Sequence, residues 1–471
     1  MPDEYDVVVI GAGPGGEVVA GRCAEEGLAT AIVERELVGG ECAFWGCMPS
    51  KGLLRPGAVL AAARRVPGAR EAASGEIDVS SALGRRNQIT NNWDDKYQVE
   101  WLDQRGVQVV RGVGRLAGER TVDVEAEDGS SRRLVARRAV VVATGSSAAV
   151  PPIEGLRDIR IWDNRDVTEA KEVPRRLLVL GGGSVGVEMA QAWRSFGAEE
   201  VTVIEAMERL LPMEEPFAGE ELEAAFEAQG ITVITGVRMV AAARDADDAP
   251  VTATLEDGRE LVGDEILVSV GRRPRTQDLG LESVGLTPGR FIEVDDKLRA
   301  TDVEGDWLYA IGDACGRALL THMAKYHARV AADDIFGRDV EGASEHRAIP
   351  RIVFTDPQIA AVGITSQQAR DQGLDAITAR CDVADVAGAS VTGEGVSGPI
   401  GVVVDAAREV IVGATFVGPE LGDMLHGATI AIVGEVPLRR LRHAVPSFPS
   451  LSEVWLKIIE SYDAQREEKK R

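Results

Sequence analysis

Two stretches of this chain allow very few folds. Tyr5-Asp6-Val7-Val8-Val9-Ile10 is a run of strand formers that leads without a break into Gly11-Ala12-Gly13-Pro14-Gly15-Gly16 and a helix-like segment through Ala24. The same order returns 170 residues later: Leu177-Leu178-Val179-Leu180, then Gly181-Gly182-Gly183-Ser184-Val185-Gly186, then a helix from Val187. Glycines at this spacing let the backbone turn tightly off a strand and approach a pyrophosphate seated on the helix N-terminus. Further strands, Thr30–Val33 and Val201–Ile204, end on Glu34 and Glu205, 23 and 24 residues past Gly11 and Gly181. A carboxylate at that point accepts hydrogen bonds from ribose hydroxyls. Two complete fingerprints predict two doubly wound α/β units and two bound dinucleotides. Glu205 repels a 2′-phosphate and favours NADH, while the nearby Arg209 leaves NADP(H) open.

Between the fingerprints' elements lies Gly39-Gly40-Glu41-Cys42-Ala43-Phe44-Trp45-Gly46-Cys47-Met48-Pro49-Ser50-Lys51, with two of the chain's five cysteines. On an unbroken helix, residues five apart have Cα atoms roughly 8–9 Å apart. A disulfide needs about 4.4–6.8 Å. Cys42 and Cys47 can join only across a break, and Gly46 with Pro49 permits one. Taken alone, the segment also fits two inert buried thiols or half of a zinc site, although no second Cys/His cluster at ligand spacing accompanies it. Cys23, inside the first helix, reads as a small core residue.

The formal charge is −24, from 52 Lys+Arg against 76 Asp+Glu. That argues against a nucleic-acid partner, which needs a basic face. No apolar run reaches membrane-span length, and Met1-Pro2-Asp3-Glu4-Tyr5 lacks the features of a signal peptide, so a cytoplasmic protein is expected. In that compartment a close cysteine pair reads better as one that cycles. Residues 52 to about 100 read as helices with an unpatterned middle. Val107–Val110, Thr121–Val124 and Ala139–Val142 read as strands, the last ending in Ala143-Thr144-Gly145-Ser146 ahead of the rigid Pro151-Pro152. Ile266–Val270 ends in Gly271-Arg272-Arg273-Pro274, and Trp307–Ile311 ends in Gly312-Asp313. From Arg347 the pattern becomes antiparallel, with strands at Ile400–Val404 and Val410–Phe416 and helices from Glu420 and Leu451.

Fingerprint, Cys-x4-Cys-x3-Lys, Ala-Thr-Gly, second fingerprint, Gly-Arg-x-Pro, Ile-Gly-Asp and an alternating C-terminal region together resemble the flavoprotein disulfide reductases. The dihydrolipoyl dehydrogenase, glutathione reductase and mercuric reductase type is meant, and the resemblance runs from about Tyr5 to Tyr462. It implies two Rossmann-like dinucleotide-binding domains and an α+β C-terminal dimerisation domain. Residues 1–150 form the first part of the FAD domain, 151–275 the NAD(P) domain, 276–345 the second part of the FAD domain, and 346–471 the interface domain. FAD is then expected on Gly11, Gly13, Gly16, Glu34, Lys51, Gly145 and Asp313, and NAD(P)H on Gly181, Gly183, Gly186, Glu205 and Gly271. Cys42 becomes the outward sulfur and Cys47 the flavin-side one. Lys51 and Glu188 match the family's lysine–glutamate pair beside the flavin, and no metal is expected.

One departure bears on function. Where disulfide-reducing members carry a catalytic His-Pro near the C-terminus, with a glutamate five residues later, this chain reads Phe448-Pro449 and Glu453. Phenylalanine cannot move a proton, and a positioned acid–base is worth roughly 10²–10⁴ in rate. His443, in a basic run, reads as a surface residue. Three functions stay open: a homodimeric NADH-dependent reductase, active at its interface, of an unusual disulfide or other acceptor; a quinone or diaphorase-type reductase working from flavin directly; or a flavin-bound redox sensor. Intact Lys51, Glu188 and Glu205 count against the sensor. Trp45 stands where family members carry a small aliphatic residue, Phe44 departs from the pattern as well, and both read either as core or as an apolar approach to the sulfurs.

Overall fold

The computed structural model describes residues 3–340 and 346–470. The chain gathers into two compact units, the first formed by the chain up to Pro49, by Gly84–Ala149 and by the stretch beginning at Gly271. Ser50–Leu83, Val150–Val270 and residues 346–470 make the second. Among the described residues no helix is long and apolar enough to cross a membrane.

The first unit is built on a seven-stranded sheet. Gln108–Arg111, Thr30–Glu34, Asp3–Ile10 and Ser131–Val142 lie side by side and parallel, with Val9 paired to Ile32 on one edge and Val141 on the other. Val7, Val8 and Val9 are fully buried, because a parallel strand covered on both faces reads as a continuous apolar run. Ser131–Val142 changes character along its length. Its first half alternates and pairs antiparallel with Thr121–Glu125, while its last residues are wholly buried and pair parallel with Leu308–Ala310. A further strand, Val113–Leu116, closes the antiparallel edge, and its short mixed sequence gave no period to read.

Helices Val79–Ile89 and Lys96–Asp103 flank a single left-handed turn. Asn91, Asn92 and Trp93 have φ of 49°, 55° and 57°. Asn tolerates this conformation, while for Trp93 it costs roughly 1–2 kcal/mol.

In the second unit a parallel sheet orders Ile231–Ile234, Glu200–Ile204, Arg176–Leu180 and Glu265–Val268, beside an antiparallel three-stranded sheet of Met239–Ala243, Val251–Leu255 and Glu260–Gly263. The C-terminal part is a five-stranded antiparallel sheet in the order Arg351–Val353, Gln358–Gly363, Val410–Gly418, Pro399–Asp405, Ala376–Asp382. Helices Leu425–Val433 and Val454–Lys470 bury Ala428, Ile432, Ile458 and Tyr462 in its core. Ser50–Leu83, expected with the first nucleotide fold, groups instead with the second unit. Its Leu53, Leu54, Ala82 and Leu83 share a core with Trp162, Trp193 and Phe196, an association that no local pattern encodes.

Candidate active site and dinucleotide sites

The two fingerprints fold into the same backbone figure. Gly11 and Gly181 leave their strands at φ +100° and +107°, where a Cβ would strike the carbonyls of Ala143 and Ser269. Gly16 and Gly186 pack so tightly that a Cβ would collide with Gly11 O and Gly181 O. Gly13 and Gly183 differ, being the extended N-caps of helices Pro14–Glu25 and Ser184–Ser195. A Cβ on either meets nothing within 4 Å among the described residues. These two glycines keep open the ground in front of a helix N-terminus where a pyrophosphate binds. The chain thus fits two dinucleotides. Thr144, beside Gly11, adds to the fit, since its buried Oγ1 has no partner among the described residues. Replacing Gly183 with alanine is expected to raise KM for the nicotinamide dinucleotide about tenfold or more while costing only about 0.5–1 kcal/mol of stability, since alanine is a poorer N-cap than glycine. Steady-state kinetics beside a melting curve checks both.

The strand-end carboxylates are also alike. Glu34 Oε2 accepts from Ala12 N at 2.8 Å and its Oε1 from Glu36 N at 2.7 Å. Glu205 Oε2 accepts from Gly182 N at 2.7 Å and its Oε1 from Met207 N at 2.8 Å. Each carboxylate is locked between the glycine turn and the chain two residues on, with a lone pair per oxygen left for a ribose. Arg209, the cation that left NADP(H) open, donates to the carbonyls of Pro212 and Glu214 at 2.9 and 3.3 Å.

At the cysteines the expected helix break is present. Gly40–Phe44 ends with Trp45 N donating to Glu41 O at 2.8 Å, and a new helix, Cys47–Arg64, starts after Gly46. A Cβ at Gly46 would press on Glu41 O at 3.0 Å, so glycine suits the tight return. Pro49 falls in the first turn of the second helix, where its missing N–H is harmless. Cys42 and Cys47 are thiols in this structure and share a hydrogen bond, which, with burial, raises Cys42 well above an ordinary thiol. Thr321 pulls the other way: its Oγ1 lies 3.4 Å from Cys47 Sγ and also bonds Cys42. Glu41 is held by Arg275 at 2.7 Å. Phe44 and Trp45 are both buried, so the rings are core and not an exposed approach. Burial pushes Cys23 and Cys381 up to about 12, which leaves them inert at neutral pH.

Lys51, one turn after Cys47 on the same helix, pairs with Glu188 at 2.7 Å and lies 4.9 Å from the Phe354 ring centroid. The other Glu188 oxygen accepts from Phe354 N at 3.0 Å. Asp313 is bonded by Ser146 Oγ, and Ser146 is in turn held by Arg272 Nε at 2.5 Å. Burial raises Asp313 above the usual carboxylate range. Gly145 O accepts from Arg275 N at 3.0 Å, and Gly271 O from Ala149 N at 2.9 Å.

The first unit therefore collects Gly11, Gly13, Gly16, Glu34, Cys42, Cys47, Gly145, Gly271 and Asp313, and the second collects Lys51, Gly181, Gly183, Gly186, Glu188, Glu205 and Glu453. Ser146, Arg272, Arg275 and Thr321 were not singled out from sequence. Arg272 and Arg275 sit in the basic turn after Gly271, but nothing local pairs them with Ser146 or Glu41.

Glu17, in the first turn of Pro14–Glu25, is pushed up to about 7 by burial, with Glu34 adding to the shift and Lys325 opposing it. A carboxyl raised on folding penalises the native state once it ionises, and the penalty grows from about pH 4.5 to 7. Glu17→Gln is expected to stabilise the cofactor-free protein by about 3 kcal/mol at pH 8 and clearly less at pH 5.5. Thermal unfolding at the two pH values checks it, and a pH-independent difference would contradict it.

Phe448 is 76% exposed in the chain, and His443 is exposed as well. Glu453 Oε2 accepts from Ser450 N at 3.1 Å and Gly388 N at 3.2 Å, fixing the loop that carries Phe448.

Residues 5–328 match the family described as pyridine nucleotide-disulphide oxidoreductase, and residues 349–458 match its dimerisation domain. The dihydrolipoyl dehydrogenase of Chlorobaculum tepidum is 35% identical over 96% of this chain and 95% of its own length. Its counterpart in Mycobacterium tuberculosis is 33% identical over 95% and 96%. Among solved structures, LpdA from Mycobacterium tuberculosis superposes with a TM-score of 0.85 at 26% identity, covering 97% of this chain and 99% of that one. A Cu(II) complex of the HOCl-induced flavoprotein disulfide reductase RclA from Escherichia coli shares the fold, with a TM-score of 0.84 at 24% identity and the same coverage. The strand–glycine–helix figures, the cysteine break and these likenesses agree: the chain belongs to the pyridine nucleotide-disulphide oxidoreductases, FAD-containing oxidoreductases that use NAD(H) or NADP(H).

Proposed function

We propose that this oxidoreductase takes electrons from NADH to the Cys42–Cys47 pair and passes them to an acceptor that leaves without needing a proton. The observation that carries this reading is Phe448 in the place of the family's acid–base histidine, on a loop that Glu453 holds by backbone bonds alone. When bound, FAD and the nicotinamide supply the hydride and two-electron chemistry. The chain's own residues do the rest. The glycine turns admit the two pyrophosphates, Glu34 and Glu205 orient the riboses, and the Lys51–Glu188 pair keeps a cation fixed on the helix that begins at Cys47. Arg209 spends Nη2 on the backbone carbonyls of Pro212 and Glu214, and Glu205 at the strand end disfavours a 2′-phosphate, which together support NADH over NADPH.

The dithiol reacts in two exchanges. Cys42 as thiolate attacks the acceptor disulfide and expels one thiolate; Cys47 then attacks the Cys42 sulfur, expels the second and closes the Cys42–Cys47 bond. Thr321 is positioned to hand a proton between the two sulfurs. Phenylalanine at position 448 cannot protonate what leaves, so aryl thiolates, stable as anions, suit this site better than alkyl ones. Phe448 also favours a second reading, in which quinones draw electrons without using the cysteines and so need no acid–base for a departing thiol.

The test is a comparison of acceptors with the FAD-loaded enzyme. An alkyl disulfide (lipoamide), an aryl disulfide (5,5′-dithiobis(2-nitrobenzoate)), benzoquinone and Cu(II) are each offered with NADH and then with NADPH. The reading expects the aryl disulfide to turn over about 10²-fold faster than lipoamide and NADH to exceed NADPH in kcat/KM. Lipoamide turning over as fast as the aryl disulfide would sink it. Turnover with quinone alone would leave the second reading standing.

A further inference from the structure

Phe44 is the last residue of the helix that carries Cys42, so its carbonyl is one of those a helix terminus leaves unbonded. The indole of Trp93 fills that gap, donating from Nε1 to Phe44 O at 3.1 Å. Two residues further on, Asp95 Oδ2 accepts from Val38 N at 2.7 Å, immediately before Gly39-Gly40. One short segment thus grips the cysteine turn at both ends.

The segment is built for that grip in an unusual way. Asn91, Asn92 and Trp93 are consecutive left-handed residues, none of them glycine. The turn is closed by Trp93 N to Thr90 O at 2.9 Å and Asp94 N to Asn91 O at 3.1 Å. The Arg86 guanidinium, fully buried, lies over the Trp93 ring, 5.4 Å from its centroid. Asn91 and Asn92 accept this conformation readily, but Trp93 does not, and strain at such a residue persists only where surroundings over-determine it and gathers at functional sites.

We infer that Trp93 is a positioning residue for the Cys42–Cys47 couple, its indole N–H fixing the Phe44–Trp45 peptide from which the chain doubles back to bring the two sulfurs together. This rests on the reading of Cys42 and Cys47 as the redox pair. The reaction it governs is an exchange: the dithiol gives two electrons and two protons to glutathione disulfide, forming the Cys42–Cys47 bond and two glutathione thiols. A bond between sulfurs demands closer approach than two thiols do. A turn held in register therefore favours the disulfide, and a loosened one favours the dithiol.

The experiment equilibrates the FAD-loaded enzyme with glutathione buffers and reads the Cys42–Cys47 state by thiol alkylation and mass spectrometry. Trp93→Phe keeps the ring and loses the donor. It is expected to lower the equilibrium constant for disulfide formation about threefold to tenfold. Asn92→Gly, which adopts the left-handed conformation freely, is expected to leave that constant unchanged. A constant for Trp93→Phe within about 1.5-fold of the parent overturns the inference while the redox pair stands. No Cys42–Cys47 disulfide at any buffer ratio in the parent overturns both. Should Trp93→Phe fail to fold, the indole N–H resonance of Trp93 in the unmodified enzyme serves instead. A change in its hydrogen-exchange rate between the dithiol and disulfide states supports the role, and an unchanged rate refutes it.

Discussion

A Cys42→Ser variant is expected to lose turnover of disulfide acceptors by roughly 10³-fold or more while it continues to oxidise NADH with benzoquinone. Serine keeps the size of the side chain and the contact region near Thr321, so the fold should not change. What it removes is the sulfur proposed to form the mixed disulfide. The result separates the two routes by which this chain can deliver electrons. If quinone turnover survives undiminished, quinones bypass the cysteines; if it falls in step with disulfide turnover, every electron passes through Cys42. Persistent turnover of the aryl disulfide by Cys42→Ser would show that the dithiol is not the donor. Monitoring NADH at 340 nm against each acceptor is sufficient.

The second large effect concerns Lys51. Glu188 is almost wholly buried and rests on two partners, Lys51 Nζ and Phe354 N. Lys51→Met leaves its carboxylate with one hydrogen bond and no counter-charge. Removing one member of a fully buried pair costs about 3–5 kcal/mol. Lys51 is about one-third exposed, which brings the expectation down to about 2–3 kcal/mol. NADH oxidation should fall as well, by about 10²-fold or more, as when a preorganised charge is taken from a reacting centre. Lys51→Met/Glu188→Leu distinguishes the two roles. Replacing both charges should recover most of the stability and none of the rate. Recovery of both would reduce the pair to a structural contact.

Much of the fold was legible because its signals are local. A strand that stops on glycine and resumes as a helix is written in consecutive residues, as at Ile10-Gly11 and Leu180-Gly181, and the acidic strand ends follow at fixed distances. The cysteine break was legible for the same reason, since Gly46 and the spacing of Cys42 and Cys47 lie in one segment. What escaped was partnership across the chain. Ser146 meets Asp313, Cys47 meets Thr321 and Glu41 meets Arg275 only after folding, at separations of 167, 274 and 234 residues. The grouping of Ser50–Leu83 depends on which apolar surface those leucines find. The left-handed turn at Asn91–Trp93 escaped because Asn91-Asn92 signals a turn without fixing its hand, and nothing in a tryptophan announces positive φ.

Glu34 and Glu205 carry a further implication. They are built to one gauge, each spending one lone pair per oxygen on the same two backbone amides. Neither would therefore tell FAD from NADH, because the ribose placed to meet it belongs to the adenosine diphosphate portion common to both, although either would turn away the 2′-phosphate of NADPH. The choice of tenant falls to whatever lies beyond that portion. ADP, as the shared half, is in effect a key that fits both locks and turns neither.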